Sequence, residues 1–251
     1  MSLTIGILNA MTGLRASQTA LVTIANNIAN ANTEGYSRKT IQFQSMQLGG
    51  LGAGVSIAEV RRETSEVLVR DALMAGSGLE QRRVKESMLS PLESLFGGVN
   101  DDDSIGAAIA RFRDAMQKLA EQPENTGLQM TVVQRAQEVT ALFNNMAREI
   151  QAQRLEAERG IDTGVKSINN EIARIDELNR QIAQLRALGQ PAGELEDKRD
   201  LAVKRIAEEV NIQTYTREDG FMVVATGNGR VLVDSSGYYP ASFTPASFVG
   251  P

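Results

Sequence analysis

The 251-residue chain contains no cysteine, no histidine and no tryptophan. Histidine and cysteine are the commonest metal ligands, and they supply the usual near-neutral general base and the thiol nucleophile. An enzyme without them would depend on carboxylate, lysine, tyrosine or serine side chains alone. We therefore expect no enzymatic activity, and we predict no catalytic, cofactor-binding or metal-binding residue. A chain without cysteine also forms no disulfide, so it must be stable in either redox compartment.

Aromatic residues make up only 4% of the chain, so its core must be aliphatic. Such a core favours long, narrow helical packing over one thick centre. The expected fold is mainly α: long helices in an elongated coiled-coil-like bundle, with a short extended arm and the start of a C-terminal β-domain.

The sequence also lacks clusters of basic residues and long apolar runs. The net charge is −5, and no basic surface is available to neutralise phosphates, so nucleic acid is not an expected partner. No apolar run approaches the roughly 20 residues that span a bilayer, and no signal-peptide pattern opens the chain. We therefore expect no membrane insertion and, if the protein is exported, a route without a cleaved signal peptide.

The N-terminal region has almost no charge but a regular apolar pattern. Residues 1–33 contain a single charged side chain, Arg15. Alternating spacings of four and three place seven positions on one side of a helix, in the pattern that packs helix against helix. This N-terminal seam consists of Ile7, Met11, Leu14, Gln18, Leu21, Ala25 and Ile28. The opposite face is small and uncharged, which suggests neighbours on more than one side.

Turn-forming residues divide the chain into four predicted segments. An axial helix should occupy 1–35 and end near Ala29, where residues that cap helices gather. An extended arm follows over 36–62, and a helical bundle over 63–210. Residues 211–251 should begin a β-domain, a three-stranded meander joined at Asp-Gly and Asn-Gly turns, which looks truncated.

A second heptad pattern lies in the longest predicted helix. Isoleucines recur every seven residues, with two further apolar residues between them, and Asn179 occupies the next position of the second series. A buried polar residue at such a position can fix register. The predicted coiled-coil core consists of Ile161, Val165, Ile168, Ile172, Ile175 and Ile182.

Three polar clusters have a functional and a structural interpretation. The aspartates at 101–103 favour helix capping over a cation site. The charged run at 194–200 favours an exposed helix face over a pair of catalytic carboxylates. The Gly-Asn-Gly sequence at 227–229 favours a hairpin turn over a phosphate loop, because a strand follows it.

The end of the predicted axial helix and the turn after it contain a longer motif, LVTIANNIANANTEGYSR at 21–38. Physical chemistry alone favours a frayed helix end and a turn over a dedicated contact surface. The motif nevertheless closely resembles the N-terminal signature of flagellar rod, hook and hook-associated proteins. The arm and the LEDKRDL sequence at 195–201 most resemble the hook-associated protein 1 family, with Lys198 where that family has Gln. The signature residues are Asn26, Asn27, Asn30, Asn32, Gly35 and Tyr36.

That resemblance implies a structural adaptor of the bacterial flagellum. Proteins of the family join hook to filament, assemble into an extracellular tube and leave the cell through the type III export apparatus. The implied partners are copies of itself, the hook protein, and the next hook-associated protein on the filament side. In the family, the N-terminal helix pairs with a C-terminal helix, which this chain does not show.

Other functions are also compatible with these residues. The chain could be a rod or hook axial protein, since these share the signature. The isoleucine heptad would also suit a cytoplasmic coiled-coil adaptor whose N-terminal helix docks into a partner groove. A carboxylate-based hydrolase is the third possibility, disfavoured by the lack of histidine and of any convincing acid pair.

Overall fold

The computed structural model describes residues 2–48, 51–97, 101 and 104–246. The protein is mainly α, with long helices, a β-hairpin and a small C-terminal sheet, in agreement with the predicted fold class. Its helices and strands, in chain order, are α1 Ser2–Ala29, β1 Lys39–Leu48, β2 Leu51–Arg62, α2 Glu66–Phe96, α3 Ile105–Glu121, α4 Thr126–Ala187, α5 Gly193–Glu209, β3 Ile212–Thr216, β4 Met222–Thr226, β5 Val231–Asp234 and β6 Gly237–Tyr238.

The chain divides into two compact units. Unit 1 comprises Met1–Gly78 and Lys166–Ala241, and unit 2 comprises Leu79–Val165 and Ser242–Pro251. Both units contain parts of α2 and α4. Among the described helices, none is both long enough and apolar enough to cross a membrane.

The helix boundaries follow the capping signals in the sequence. Helix α1 ends at Ala29 as predicted, and α4 continues through Gly160 without a break. Ser104 caps α3, because its hydroxyl accepts a 3.2 Å hydrogen bond from the amide of Ala107. Of the three aspartates proposed as cap or cation site, Asp102 and Asp103 lie outside the described residues.

The C-terminal strands form an antiparallel sheet in the order β3-β4-β5-β6. Three strands were predicted and four are present, because a two-residue edge strand, β6, pairs with β5. The two predicted turns are present. Gly220 and Gly229 both adopt φ of +84°, a left-handed conformation that glycine accepts without strain.

The core of unit 1 joins the C-terminal half of α4 to α5 and the sheet. Ile172 and Ile175 on α4 pack with Val203 and Ile206 on α5 and with apolar residues of the strands. Burial along the isoleucine heptad therefore changes with position: Ile172, Ile175 and Ile182 are fully buried, Val165 and Ile168 are partly buried, and Ile161 is 49% exposed. The buried part of this heptad faces several different elements.

Among the described residues, unit 2 has a smaller apolar core than unit 1. Its buried apolar residues among those described are Ala108 and Ala115 on α3 and Met146 on α4. Larger apolar side chains on the same helices, such as Met116 and Phe143, are about half exposed.

Candidate assembly surface

The N-terminal seam lies on the surface of unit 1. Leu14, Leu21 and Ile28 are 61%, 66% and 72% exposed, and the other apolar members of the seam, Ile7, Met11 and Ala25, are exposed too. No described part of the chain covers this face of α1. A row of exposed aliphatic side chains on a helix roughly 40 Å long is a large apolar surface.

The opposite, small face of α1 holds the β-hairpin. The Asn9 side-chain amide donates a 3.1 Å hydrogen bond to the Gly52 carbonyl. The Thr12 hydroxyl accepts a 3.2 Å hydrogen bond from the Val55 amide, and Ala16 is buried. The small, uncharged side chains of this face predict a neighbour there, and within unit 1 that neighbour is the chain's own hairpin.

One glycine makes this close packing possible. Gly54 has a φ of +100°, and a Cβ atom there would lie 2.1 Å from the Thr12 hydroxyl oxygen. The backbone of β2 can therefore approach α1 only where no side chain intervenes. The small side chains of α1 serve the same purpose from the other side of the contact.

The signature residues build the turn between α1 and β1. The Asn27 side chain donates to the Lys39 carbonyl over 2.8 Å and accepts from the Lys39 amide over 2.9 Å. It also accepts a 2.9 Å hydrogen bond from the Tyr36 hydroxyl. The Lys39 ammonium lies 3.8 Å from the centre of the Tyr36 ring, a cation–π distance.

The other signature residues have smaller or different roles. The Asn30 side chain donates to the Asn26 carbonyl at 3.0 Å and so closes the last turn of α1. Gly35 has a φ of +78°, and a Cβ there would lie 3.3 Å from the Leu201 side chain. Asn32 and the side chain of Asn26 are exposed. The signature is thus partly a turn that shapes unit 1 and partly an exposed surface.

A mostly buried cluster of charges connects the base of the hairpin to α5. Lys39 lies 2.7 Å from Asp197, and Arg62 lies 2.8 Å from Glu196, 3.0 Å from Asp197 and 2.7 Å from Asp200. The Ser37 hydroxyl donates to Asp197 as well. Arg186 of α4 completes this charged cluster through a 2.6 Å contact with Glu196.

The prediction of an exposed charged face at 194–200 is therefore wrong for its central residues. Glu196 and Asp197 are 8% and 7% exposed, and Arg199 is 2% exposed; Glu194 and Lys198 are exposed as predicted. Alternating charge indicated exposure, but distant cations neutralise these carboxylates inside the fold. The one available signal was the pair of basic residues, Lys39 and Arg62, at the two ends of the predicted arm.

The environment of the cluster favours the charged forms of its members. Burial alone would raise the pKa of Asp197, but hydrogen bonds from Lys39, Ser37 and Arg62 outweigh it, so its pKa lies below the ordinary value. Burial would likewise lower the pKa of Arg62, and Asp200, Asp197 and Glu196 reverse this, so its pKa is raised.

Arg199 and Asn179 form a separate buried polar contact. The Arg199 guanidinium donates to the Asn179 side-chain carbonyl over 3.0 Å and to the Gly220 carbonyl over 2.7 Å. Asn179 also pairs with the backbone of Met222, donating over 2.9 Å and accepting over 3.0 Å. The buried asparagine of the heptad thus fixes the position of the sheet on α4.

Comparisons with known proteins place these features in a family context. The family model for the flagellar hook-associated protein FlgK helical domain matches residues 89–250, more than half of the chain. The model for the flagella basal body rod protein matches residues 7–36, which include most of α1 and the turn after it.

Three curated relatives match nearly the whole chain. Flagellar hook-associated protein 1 of Bacillus subtilis (strain 168) is 25% identical over 241 residues, covering 91% of this chain and 47% of the relative. The protein of the same name from Salmonella typhimurium (strain LT2) is 28% identical over 249 residues, covering 95% and 44%. That from Escherichia coli (strain K12) is also 28% identical, covering 95% and 45%. The chain spans less than half the length of these relatives.

Proposed function

The chain belongs to the FlgK family of flagellar hook-associated proteins, and we propose that it is a structural subunit of the junction between hook and filament. In this proposal it has no catalytic role. It assembles with copies of itself into a tube outside the cell, and its N-terminal seam provides part of the packing surface between helices.

The exposure of the N-terminal seam is the observation that carries this proposal. The face of α1 opposite the seam is already occupied by the hairpin, so the helix is held in unit 1 while its aliphatic side chains face outward. Burying one exposed Ile or Leu contributes about 1.5–3 kcal/mol. Several such residues on one helix provide a strong driving force that is released when another helix covers them.

The proposed partners follow from the position of a junction. On one side the subunit would contact the hook protein, and on the other the next hook-associated protein on the filament side. Before assembly it would pass through the type III export apparatus without a cleaved signal peptide. The low charge of residues 1–33, with Arg15 alone, suits a helix surrounded by other subunits.

A rod or hook axial protein is the nearest alternative, because the rod-protein model matches α1 and the following turn. That match covers only residues 7–36, whereas the hook-associated helical-domain model covers residues 89–250. The longer match favours the junction role. The cytoplasmic coiled-coil adaptor predicts a different location altogether, so a localisation experiment separates all three roles.

Immunogold electron microscopy of isolated flagella tests the proposal directly. An epitope tag at the exposed tip of the β3–β4 turn, between Glu218 and Asp219, should label a narrow zone where hook and filament meet. Labelling along the rod or the whole hook would support the axial alternative, and protein confined to the cytoplasm would support the adaptor. The control is the untagged strain, which should show no label.

A further inference from the structure

The N-terminal part of unit 1 is attached differently from the rest of that unit. Among the described residues, the apolar core cluster and its partly buried neighbours come from α2, α4, α5, the sheet and Val210 just after α5, and none comes from residues 2–62. The contacts of this N-terminal segment with α5 are mainly polar. They include Ser37, Lys39 and Arg62 with the carboxylates of α5, and Glu34 with Lys204 at 2.6 Å.

The charged cluster is positioned at the base of the hairpin. Lys39 and Arg62 are direct partners in the β1–β2 register, and both reach Asp197. A Cβ atom on Gly193, the first residue of α5, would lie 3.2 Å from Lys39 Cε and 3.3 Å from Arg62 Cγ. The absence of a side chain at Gly193 thus lets the two basic stems lie against the start of α5.

Lys39 also connects α5 to α1. Its ammonium binds Asp197, while its backbone carbonyl and amide are bound by the Asn27 side chain of α1. Asp197, Lys39 and Asn27 therefore form a continuous path of hydrogen bonds from α5 to the end of α1. The side chains of Lys39 and Asp197 are 11% and 8% exposed, so solvent screens this contact only weakly.

We propose that Asp197, Lys39 and Arg62 form an ionic joint that sets the direction of α1, and that this joint can open while the core of unit 1 remains folded. Asp197 is then a positioning residue, because it acts on α1 through Lys39. The inference deepens the proposed function, since the direction of α1 decides where the seam is presented, and it rests on that function only in this respect.

Two observations indicate that the ionic joint can open while the core of unit 1 remains folded. The charged cluster is internally balanced: Lys39, Arg62 and Arg186 face Glu196, Asp197 and Asp200. Removing the Asp197 carboxylate leaves the Lys39 ammonium, whose side chain is 11% exposed, without the carboxylate that it binds, which is a large local penalty. Arg62 keeps its contacts with Glu196 and Asp200. The apolar core has no described member in residues 2–62, so opening the joint removes none of its residues.

The absence of native cysteine allows a direct distance measurement. Spin labels at Ser17→Cys on α1 and Gln213→Cys on β3, both at exposed positions, report the direction of α1 relative to the core. We expect one narrow distance distribution in the otherwise unchanged chain and a clearly broader or shifted one after Asp197→Asn. The same distribution in both would overturn the proposal. The measurement uses the isolated chain, so its outcome does not depend on the flagellar role.

Hydrogen exchange on the same chain distinguishes opening of the joint from general unfolding. After Asp197→Asn, exchange of amides in β1 and β2 should become at least about tenfold faster, while amides of α5 and β4 should keep their rates. The matched control is Asp176→Asn, which removes another buried carboxylate of unit 1, one that pairs with Arg180 on its own helix. This control should leave the hairpin rates unchanged.

Lys39→Met provides a second variant that leaves α5 intact. It removes the ammonium from the hairpin side and should produce the same selective acceleration in β1 and β2. If Asp197→Asn unfolds the core as well, the Lys39→Met variant tests the proposal in its place. Equal acceleration of hairpin and core in Lys39→Met would overturn the proposal, as would unchanged hairpin rates.

Discussion

The side-chain amide of Asn27 pairs with the backbone of Lys39 through two hydrogen bonds, one donated over 2.8 Å and one accepted over 2.9 Å. This is the pairing that a neighbouring strand would otherwise provide, so the first residue of β1 is held against the end of α1. The relationship explains why an asparagine occupies this position in the signature motif, since few other side chains offer a donor and an acceptor side by side.

Asn27→Ala should weaken the docking of the hairpin on α1 by about 1–3 kcal/mol, because the partly buried polar groups of Lys39 and the Tyr36 hydroxyl lose their partner. Hydrogen exchange at the Lys39 amide measures this loss. The control is Asn26→Ala, whose side chain is exposed and whose hydrogen-bonded carbonyl is retained. Equal exchange rates in the two variants would contradict the assigned role of Asn27.

Gly54→Ala should separate β2 from α1. The new Cβ would meet the Thr12 hydroxyl at 2.1 Å, and the φ of +100° is unfavourable for alanine, so we expect a cost of about 1–3 kcal/mol. Gly52→Ala is the matched control, because a Cβ there meets nothing within 4 Å. Hairpin amides should exchange faster in the first variant only; the same effect in both would show that β2 tolerates no side chain for another reason.

Substitutions along the isoleucine heptad should differ according to burial. Ile175→Ala creates a cavity in the core of unit 1 and should lower the free energy of unfolding by about 2–5 kcal/mol. Ile161→Ala, at a position 49% exposed, should cost less than about 1 kcal/mol in the isolated chain. Urea unfolding followed by circular dichroism measures both. A large loss for Ile161→Ala would mean that this end of the heptad is covered in solution.

Acid should weaken the docking of the hairpin on α5, because it protonates the Asp197 carboxylate. Because the folded-state pKa of this carboxyl is lowered by its cationic partners, its contribution to docking is complete above the ordinary value, about 3.9. The contribution is lost as the pH falls below that value and through the folded-state pKa. We therefore measure hydrogen-exchange rates of the amides in β1 and β2 from neutral pH down to about pH 2. These rates should depend more steeply on pH in the natural chain than in Asp197→Asn. Parallel profiles would contradict this account.

Periodicity and turn chemistry predicted most of the secondary structure. The spacing of Leu14, Leu21 and Ile28 predicts α1, and glycines at the turns predict the hairpins of the sheet. These signals are local, because a helix or turn is decided within a few residues. The end of α1 and the first three strands of the sheet, β3 to β5, followed from such signals.

The identity of packing partners could not be predicted in this way. The heptad that contains Ile172 indicates a buried face, but its spacing does not say that α5 and a sheet cover it. Likewise, alternating charge around Asp197 indicated exposure, because its cations Lys39 and Arg62 lie far away along the chain. Only the fold brings those charges together, and a buried ion pair leaves no periodic trace in the sequence.

The central claim is that the N-terminal seam packs against other subunits, and the most direct test introduces a charge into it. Leu14→Asp and Leu21→Asp, made in the cell that encodes the protein, should leave the helical bundle folded and abolish hook–filament assembly and swimming. Gln213→Asp adds the same charge at an exposed position outside α1 and should swim normally. Normal swimming and complete filaments in both seam variants would contradict the account.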